Sequence, residues 1–306
     1  MFIWKAKLKP YSKGVFMFEG AMTALVTPFK KGKVDEKKLA ELVEFHIKNG
    51  TSGIVPCGTT GESATLSYEE HDRVIEIVIE AANKKVKVIA GTGSNSTAEA
   101  LMLTEHAKKA GADASLQVSP YYNKPTQEGL YLHFKTIAEG VDLPMIVYNI
   151  ASRTGVNIEP ETMARISKVR NIAGVKESSG NLEQMARIRY LCGEKFDLIS
   201  GDDGLTLPLM AIGGTGVISV VNNIAPKDVS DMVAKFKKGD LEGARKLHYK
   251  LLPLVKAVFL ETNPIPVKTA MSLMGMIEPG LRLPLCSMAE ANLEKLKKAL
   301  KDYGLL

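Results

Sequence analysis

A lysine at the end of a short apolar run is the residue of this sequence best suited to covalent chemistry. Residues 172–175 are typical of a buried parallel strand, and Lys176 follows them directly. Burial disfavours the ammonium form, so a lysine at the mouth of such a strand can lose its proton near neutral pH and form a Schiff base with a carbonyl substrate. The simpler alternative is a lysine that extends its amine from the strand end into water. This stretch alone leaves both interpretations open.

Two loops that follow other apolar runs carry polar and aromatic side chains. Residues 58–63, Gly-Thr-Thr-Gly-Glu-Ser, offer hydroxyls and backbone amides that can hold a carboxylate, but they are equally typical of a plain turn before a helix. Residues 119–125 contain the adjacent pair Tyr121 and Tyr122, and surface tyrosines of this kind often serve subunit contacts. Each loop therefore has a structural and a functional interpretation.

A tyrosine and an arginine follow a further apolar run. Tyr148 ends the run and Arg153 lies five residues later. A tyrosine at this position is usually a core residue with its hydroxyl at the rim, whereas the arginine is a natural anchor for a carboxylate. Together with Lys176 these residues supply a nucleophile, a proton carrier and an anion clamp, which is the set required by an aldolase-type carbon–carbon lyase.

The elements that must position these residues alternate regularly along the chain. Apolar strand-like runs are separated by amphipathic helical patterns, and the runs lie at residues 21–26, 53–56, 86–91, 114–118, 144–149, 172–176, 196–200 and 216–220. Eight such units predict an α/β fold, a (β/α)8 TIM barrel, with an open doubly wound sheet as the structural alternative. We expect an N-terminal extension at residues 1–16, the barrel at 17–236 and a C-terminal helical appendage at 237–306.

Composition excludes several other classes of protein. The formal charge of +6 includes Lys5, Lys7, Lys9 and Lys13, so the rest of the chain carries only two net charges and no nucleic-acid partner is expected. No apolar run reaches the roughly 20 residues of a membrane span, and we expect a cytoplasmic protein without a membrane partner. The three cysteines and five histidines lack metal-ligand spacing, so no metal is expected.

Six separated motifs resemble the dihydrodipicolinate synthase family over about residues 17–306. They are the segments 53–62, 121–125, 148–155, 174–177, 200–203 and 216–219. The resemblance implies a lyase of the diaminopimelate route to lysine, usually a homotetramer built from dimers and without a cofactor. Such an enzyme joins pyruvate, held as a Schiff base on Lys176, to L-aspartate 4-semialdehyde.

The resemblance also implies roles for individual residues. Tyr148, Thr59 and Tyr122 correspond to a proton relay, with Tyr122 reaching across from a neighbouring subunit. Thr59 and Thr60 correspond to the pyruvate-carboxylate site and Arg153 to the anchor of the semialdehyde carboxylate. Two further positions, Gly201 and Ile218, correspond to residues that contribute backbone around the lysine.

Two departures from the family pattern bear on these roles. Ala151 replaces the usual proline, which predicts a looser loop around Arg153. Members inhibited by lysine have an effector pocket, and its positions correspond here to Ser63, Ala64, His71, Asn95, Glu99 and Tyr121. A second frequent histidine is replaced by Tyr68, and Ser96 with Glu99 also fits a helix capping box. Lysine binding and a structural role for these residues both remain open.

Two alternative functions remain at this stage. An N-acetylneuraminate lyase or a 2-keto-3-deoxy sugar acid aldolase would use the same lysine and tyrosine. A sugar aldehyde carries hydroxyls that need other partners, however, and Arg153 together with Thr60 favours the synthase. A barrel that binds a keto acid without catalysis is the alternative of a different class.

Overall fold

The computed structural model describes residues 17–306, and eight parallel strands close into a barrel at its centre. In chain order the strands are β1 (Gly20–Ala24), β2 (Phe29–Lys30), β3 (Lys33–Val34), β4 (Gly53–Val55), β5 (Lys87–Gly91), β6 (Ala114–Val118), β7 (Met145–Asn149), β8 (Ile172–Glu177), β9 (Asp197–Ser200) and β10 (Gly216–Ser219). The barrel order is β1-β10-β9-β8-β7-β6-β5-β4, and β2 pairs with β3 in a separate hairpin. The predicted (β/α)8 barrel is confirmed, and the open sheet is excluded.

Helices surround this barrel and continue beyond it. They are α1 (Glu36–Lys48), α2 (Tyr68–Ala82), α3 (Thr97–Ala110), α4 (Gln127–Gly140), α5 (Ala151–Thr154), α6 (Pro160–Ile166), α7 (Leu182–Cys192), α8 (Thr206–Ala211), α9 (Pro226–Lys237), α10 (Leu241–Ala257), α11 (Ile265–Leu273) and α12 (Glu290–Tyr303). The last three form the expected helical region. The hairpin and α5 were not predicted, because elements this short have no measurable periodicity. The extension predicted at residues 1–16 lies outside the described residues.

Local sequence explains where many of these helices begin. Ser67 caps α2 by accepting a hydrogen bond from the Glu70 amide, and the Glu70 carboxylate accepts one from the Ser67 amide. Such a capping box satisfies two amides at the first helical turn that have no partner within the helix. Within residues 17–306, no helix combines the length and apolar character needed to cross a bilayer.

A register shift in β8 determines which side chains enter the barrel. Ile172 pairs with Met145 but Gly174 pairs with Ile146, so one extra residue bulges between them. Ile172 and Val175 therefore both join the apolar layer between strands and helices, although regular alternation would place them on opposite faces. Beyond the bulge, Lys176 lies on the interior face beside Tyr148.

Candidate active site

Lys176 lies inside the carboxyl end of the barrel. Its register partners are Tyr148 on β7 and Ile199 on β9, and only 6% of its surface is exposed. The Nζ atom lies 4.2 Å from the centroid of the Tyr148 ring. The alternative in which Lys176 extends into water is therefore wrong. A buried amine against an aromatic face, at the end where barrel enzymes react, is suited to a covalent role.

Of the two residues expected to supply backbone around this lysine, Gly201 lies directly beside it. Gly201 follows β9, and its amide donates to the Glu177 carbonyl at 2.9 Å. A methyl group at Gly201 would approach Lys176 Cε to 2.8 Å and Ser178 Oγ to 1.8 Å, so no larger residue fits without displacing them. Ile218 on β10 is buried in the same interior cluster as Tyr148. Glycine at position 201 therefore leaves the space that the lysine side chain occupies.

The turn that carries Thr59 and Thr60 follows β4, which stands opposite β8 in the closed ring. Thr59 is half-buried, whereas Thr60 is 2% exposed. The Thr60 hydroxyl accepts a hydrogen bond from Asn263 Nδ2 at 3.0 Å. The two threonines and Lys176 thus meet at one end of the barrel from opposite walls.

Arg153 lies on the exposed side of the same end. It belongs to the single-turn helix α5, and its Nη2 donates to the Asn263 carbonyl at 3.1 Å. The predicted loop around Ala151 is thus a helical turn, and the Thr154 hydroxyl donates to the Ile150 carbonyl within it. Whether the missing proline makes this turn looser stays a prediction.

Sequence reasoning missed two buried carboxylates that organise the strand ends. Glu177 accepts hydrogen bonds from Asn149 Nδ2 at 3.0 Å and from the Ser179 amide at 2.7 Å, while burial raises its pKa. Asp203, whose pKa burial also raises, accepts from the Ser219 hydroxyl and the Val220 amide. The signal that could have found them is the position of both acidic residues in motifs at strand ends. The sequence did not indicate that their side chains point away from the barrel interior.

Tyr122 differs from the other predicted catalytic residues, Lys176, Tyr148 and Thr59, because it is almost fully exposed in this chain. Its side chain is 90% exposed, and its φ of 71° lies in the left-handed region. A non-glycine residue in that conformation costs on the order of 1–3 kcal/mol and persists where surrounding structure fixes it. The neighbouring Asn123 anchors the loop by donating to the Asn95 carbonyl at 2.9 Å.

The residues matching an effector pocket gather partly in one area. The Tyr68 hydroxyl bonds to Glu99, and this contact raises the pKa of the tyrosine, with the nearby Tyr121 adding to the effect. His71 is buried and bonds to the Gly91 carbonyl at 2.8 Å. The other positions, of differing exposure, are Ser63, Ala64 and Asn95.

The predicted capping box at α3 forms only in part. The Glu99 amide donates to Ser96 Oγ at 3.4 Å, but the Glu99 carboxylate accepts from Ser94 Oγ at 2.6 Å instead of returning to Ser96. The Ser96 amide also bonds to Ser94 Oγ. Ser96 is therefore the N-cap of α3, whereas the Glu99 carboxylate bonds to Ser94 and does not complete the capping box.

No group of three or more His, Cys, Asp or Glu side chains arranged to hold a metal ion is found in residues 17–306. All five histidines lie on helices, as expected: His46, His71, His106, His133 and His248. Burial lowers the pKa of His46 to about 3 and that of His133 to about 4, so both are neutral.

Comparison with known proteins places this geometry in a family. Residues 17–303 match the Dihydrodipicolinate synthetase family. A 4-hydroxy-tetrahydrodipicolinate synthase from Syntrophus aciditrophicus is 60% identical over 290 residues, which are 95% of this chain and 100% of that protein.

Two solved structures share both the fold and much of the sequence. The dihydrodipicolinate synthase of Acinetobacter baumannii, solved with pyruvate, superposes with a TM-score of 0.92 at 49% identity and covers 94% of this chain and 99% of that one. The enzyme of Cyanidioschyzon merolae, solved with lysine bound, gives 0.92 at 43% identity, over 95% of this chain and 100% of that one.

Proposed function

Since this chain belongs to the dihydrodipicolinate synthetase family and is a carbon–carbon-bond-forming lyase of lysine biosynthesis, we propose that Lys176 is the residue that binds pyruvate covalently. The observation that carries the assignment is the buried Lys176 amine against the Tyr148 ring at the carboxyl end of the barrel. No cofactor is required, because the imine itself withdraws electrons from the adjacent carbon.

The proposed reaction begins with attack of the neutral Lys176 amine on the keto carbon of pyruvate. Loss of water gives the imine, and removal of a methyl proton gives the enamine. The enamine carbon then attacks the aldehyde of L-aspartate 4-semialdehyde, and the new alkoxide takes up a proton. The amino group of the semialdehyde finally displaces the lysine amine, which closes the ring of 4-hydroxy-tetrahydrodipicolinate and restores Lys176. Tyr148, with Thr59 and Tyr122, would carry the protons.

Two anion-binding groups would orient the substrates. The turn with Thr59 and the buried Thr60 would hold the pyruvate carboxylate through hydroxyls and amides. Arg153, exposed at the rim, would bind the carboxylate of the semialdehyde. Gly201 and Ile218 would line the space around the Schiff base.

The decisive assay measures pyruvate consumption with aspartate semialdehyde, N-acetylmannosamine or glyceraldehyde as the second substrate, with Lys176→Ala as the blank. We expect turnover with the semialdehyde alone. A preference for either sugar aldehyde would move the substrate assignment to the sugar acid aldolases. Pyruvate binding without turnover of any aldehyde would instead favour the non-catalytic barrel.

A second copy of the chain would complete the site by supplying Tyr122. The support for this is the 90% exposed tyrosine, held in a left-handed conformation beside the site's rim. Co-expression of Lys176→Ala and Tyr122→Phe chains tests it. If Tyr122 acts across subunits, mixed dimers regain one intact site and about a quarter of wild-type activity returns. Activity no higher than that of the separate variants would contradict the proposal.

Lysine would act as an effector in the area formed by Tyr68, Glu99 and Tyr121. The C. merolae relative was solved with lysine bound. Here the Glu99 carboxylate accepts from Ser94 and from the Tyr68 hydroxyl, and a ligand's ammonium group would replace the tyrosine. Turnover measured in millimolar lysine is expected to fall. Unchanged turnover at every lysine concentration would contradict this.

A further inference from the structure

Asn263 connects the two groups that we assign to the substrate carboxylates. It lies between α10 and α11, in the helical region that follows the barrel, and is 5% exposed. Its side-chain Nδ2 donates to the Thr60 hydroxyl at 3.0 Å, and its backbone carbonyl accepts from Arg153 Nη2 at 3.1 Å. Its Oδ1 is buried without a partner in residues 17–306. One residue of the appended region thus contacts both proposed anion sites.

The direction of the hydrogen bond to Thr60 has a chemical consequence. A hydroxyl has one proton to donate, and it can accept as well. Because the Asn263 amide donates to Thr60, the Thr60 proton remains available for another acceptor. We propose that Asn263 is a positioning residue that keeps the Thr60 hydroxyl a donor toward the pyruvate carboxylate and holds Arg153 beside it. This inference rests on the proposed function.

The same turn is fixed from a second side by the C-terminal region. Glu62 has a left-handed φ of 54°, and its buried side chain pairs with Lys268 on α11 and accepts from the Arg282 amide at 3.1 Å. Cys57, at the other end of the turn, also has a φ of 54°. Strained positions of this kind persist where the surroundings over-determine them. The helical region therefore holds the Thr59–Thr60 turn in place, and Asn263 is the contact that reaches its functional hydroxyl.

The proposal predicts that the isosteric substitution Asn263→Asp weakens pyruvate binding more than the truncation Asn263→Ala does. Asn263→Ala removes one hydrogen bond, and the pyruvate concentration for half-maximal trapping should rise about 3- to 10-fold. Asn263→Asp keeps the shape, but its carboxylate would accept the hydrogen bond that the Thr60 hydroxyl should donate to pyruvate, and it would place a negative charge between two anion sites. We expect that concentration to rise about 10²-fold or more, and the KM for the semialdehyde to rise as well. A role in packing alone predicts that the isosteric Asp is the milder change.

The measurement is borohydride trapping of pyruvate on Lys176, followed by mass spectrometry over a range of pyruvate concentrations. Steady-state kinetics with the semialdehyde and the melting temperature are recorded on the same preparations. Asn49→Ala is the matched control, because Asn49 Nδ2 also makes one hydrogen bond, to the Phe45 carbonyl at 2.8 Å, where α1 ends before the start of β4, at the opposite end of the barrel from Lys176. Thr60→Val, alone and with Asn263→Ala, adds a test that does not need the Asp variant to fold.

A larger rise in Asn263→Asp than in Asn263→Ala, with Asn49→Ala unchanged, would support the inference. The inference would also be supported if the double variant Asn263→Ala, Thr60→Val bound pyruvate no worse than Thr60→Val alone. An Asp variant that binds pyruvate as well as the Ala variant would overturn it, as would equal shifts in the control. A wild-type chain that is trapped on Lys176 but ignores the semialdehyde would contradict the proposed substrate alone. A wild-type chain that forms no adduct would overturn the function and this inference together.

Discussion

Two lysines are buried against aromatic rings in this protein, and their surroundings differ in one respect. Lys176 is 6% exposed with its Nζ 4.2 Å from the Tyr148 ring centroid, and Lys268 is 2% exposed with its Nζ 4.2 Å from the Phe29 ring centroid. Lys268 also pairs with Glu62 and donates to the Thr27 carbonyl at 2.9 Å. Among the ion pairs found in residues 17–306, none includes Lys176.

Burial and a ring contact are common to both lysines, so the difference between them is the carboxylate that pairs with Lys268. Burial lowers the pKa of Lys268, but the Glu62 carboxylate opposes this effect and occupies the amine. Glu177 is adjacent to Lys176 in sequence, yet strand alternation directs it to Asn149 on the other face. Lys268 is therefore held in an ion pair, whereas the absence of such a pair at Lys176, among the contacts found in residues 17–306, supports the covalent role that we propose for its amine.

The sharpest test of this difference is replacement of Lys176. Lys176→Ala should lower kcat by at least about 10⁴-fold, since the covalent step is lost. Lys176→Arg should be similarly inactive, because guanidinium stays protonated and cannot add to a ketone. Turnover and borohydride trapping measure both. In Lys176→Ala we expect no adduct on Lys268, and substantial turnover of the Arg variant would refute the assigned role.

Replacement of Lys268 should instead affect folding. Lys268→Met leaves Glu62 buried without its cation, and we expect the free energy of unfolding to fall by about 3–5 kcal/mol. Denaturant titration measures the loss. Adding Glu62→Gln removes the unpaired charge and should restore part of the lost free energy of unfolding. Pyruvate should still be trapped on Lys176, and a Lys268→Met chain of wild-type stability would contradict the structural role.

Tyr148→Phe gives Lys176 the same kind of ring that faces Lys268. The contact with the ring remains and only the hydroxyl is lost, so the amine should stay buried and reactive toward pyruvate. We expect kcat to decrease about 10²-fold or more, because a proton carrier is removed. Trapping separates the two effects, and an unchanged kcat would exclude Tyr148 from the relay.

The smallest expected effect concerns Glu177, a buried carboxylate that, unlike Glu62, forms no ion pair with a lysine among the contacts found in residues 17–306. Burial raises the folded-state pKa of Glu177 above 4.5, so the folded chain retains the proton to a higher pH than the unfolded chain does. Wild-type stability should therefore fall, relative to Glu177→Gln, as the pH rises from 4.5 to the raised pKa, and should level off above it. Unfolding titrations across this range measure the difference between the chains. A difference that stays constant with pH would count against the raised pKa.

Much of the fold was readable from sequence because it depends on local patterns. Each of the eight strand runs was located to within two residues at either end, since short apolar runs separated by amphipathic helices leave few alternatives. The prediction of Lys176 at a strand end also followed from local order. Asn263 was missed because nothing in its surrounding sequence indicates a contact with Thr60, 203 positions away.

The sequence by itself determined the (β/α)8 barrel and the set of side chains at its carboxyl end, because apolar periodicity and strand order are properties of neighbouring residues. Tertiary structure alone decided which face each side chain occupies. The bulge after Ile172 turns Lys176 into the barrel, closure of the ring places Thr60 on the opposite wall, and packing of α11 gives Glu62 its cation. These outcomes depend on register and on contacts between distant segments, which local patterns do not encode.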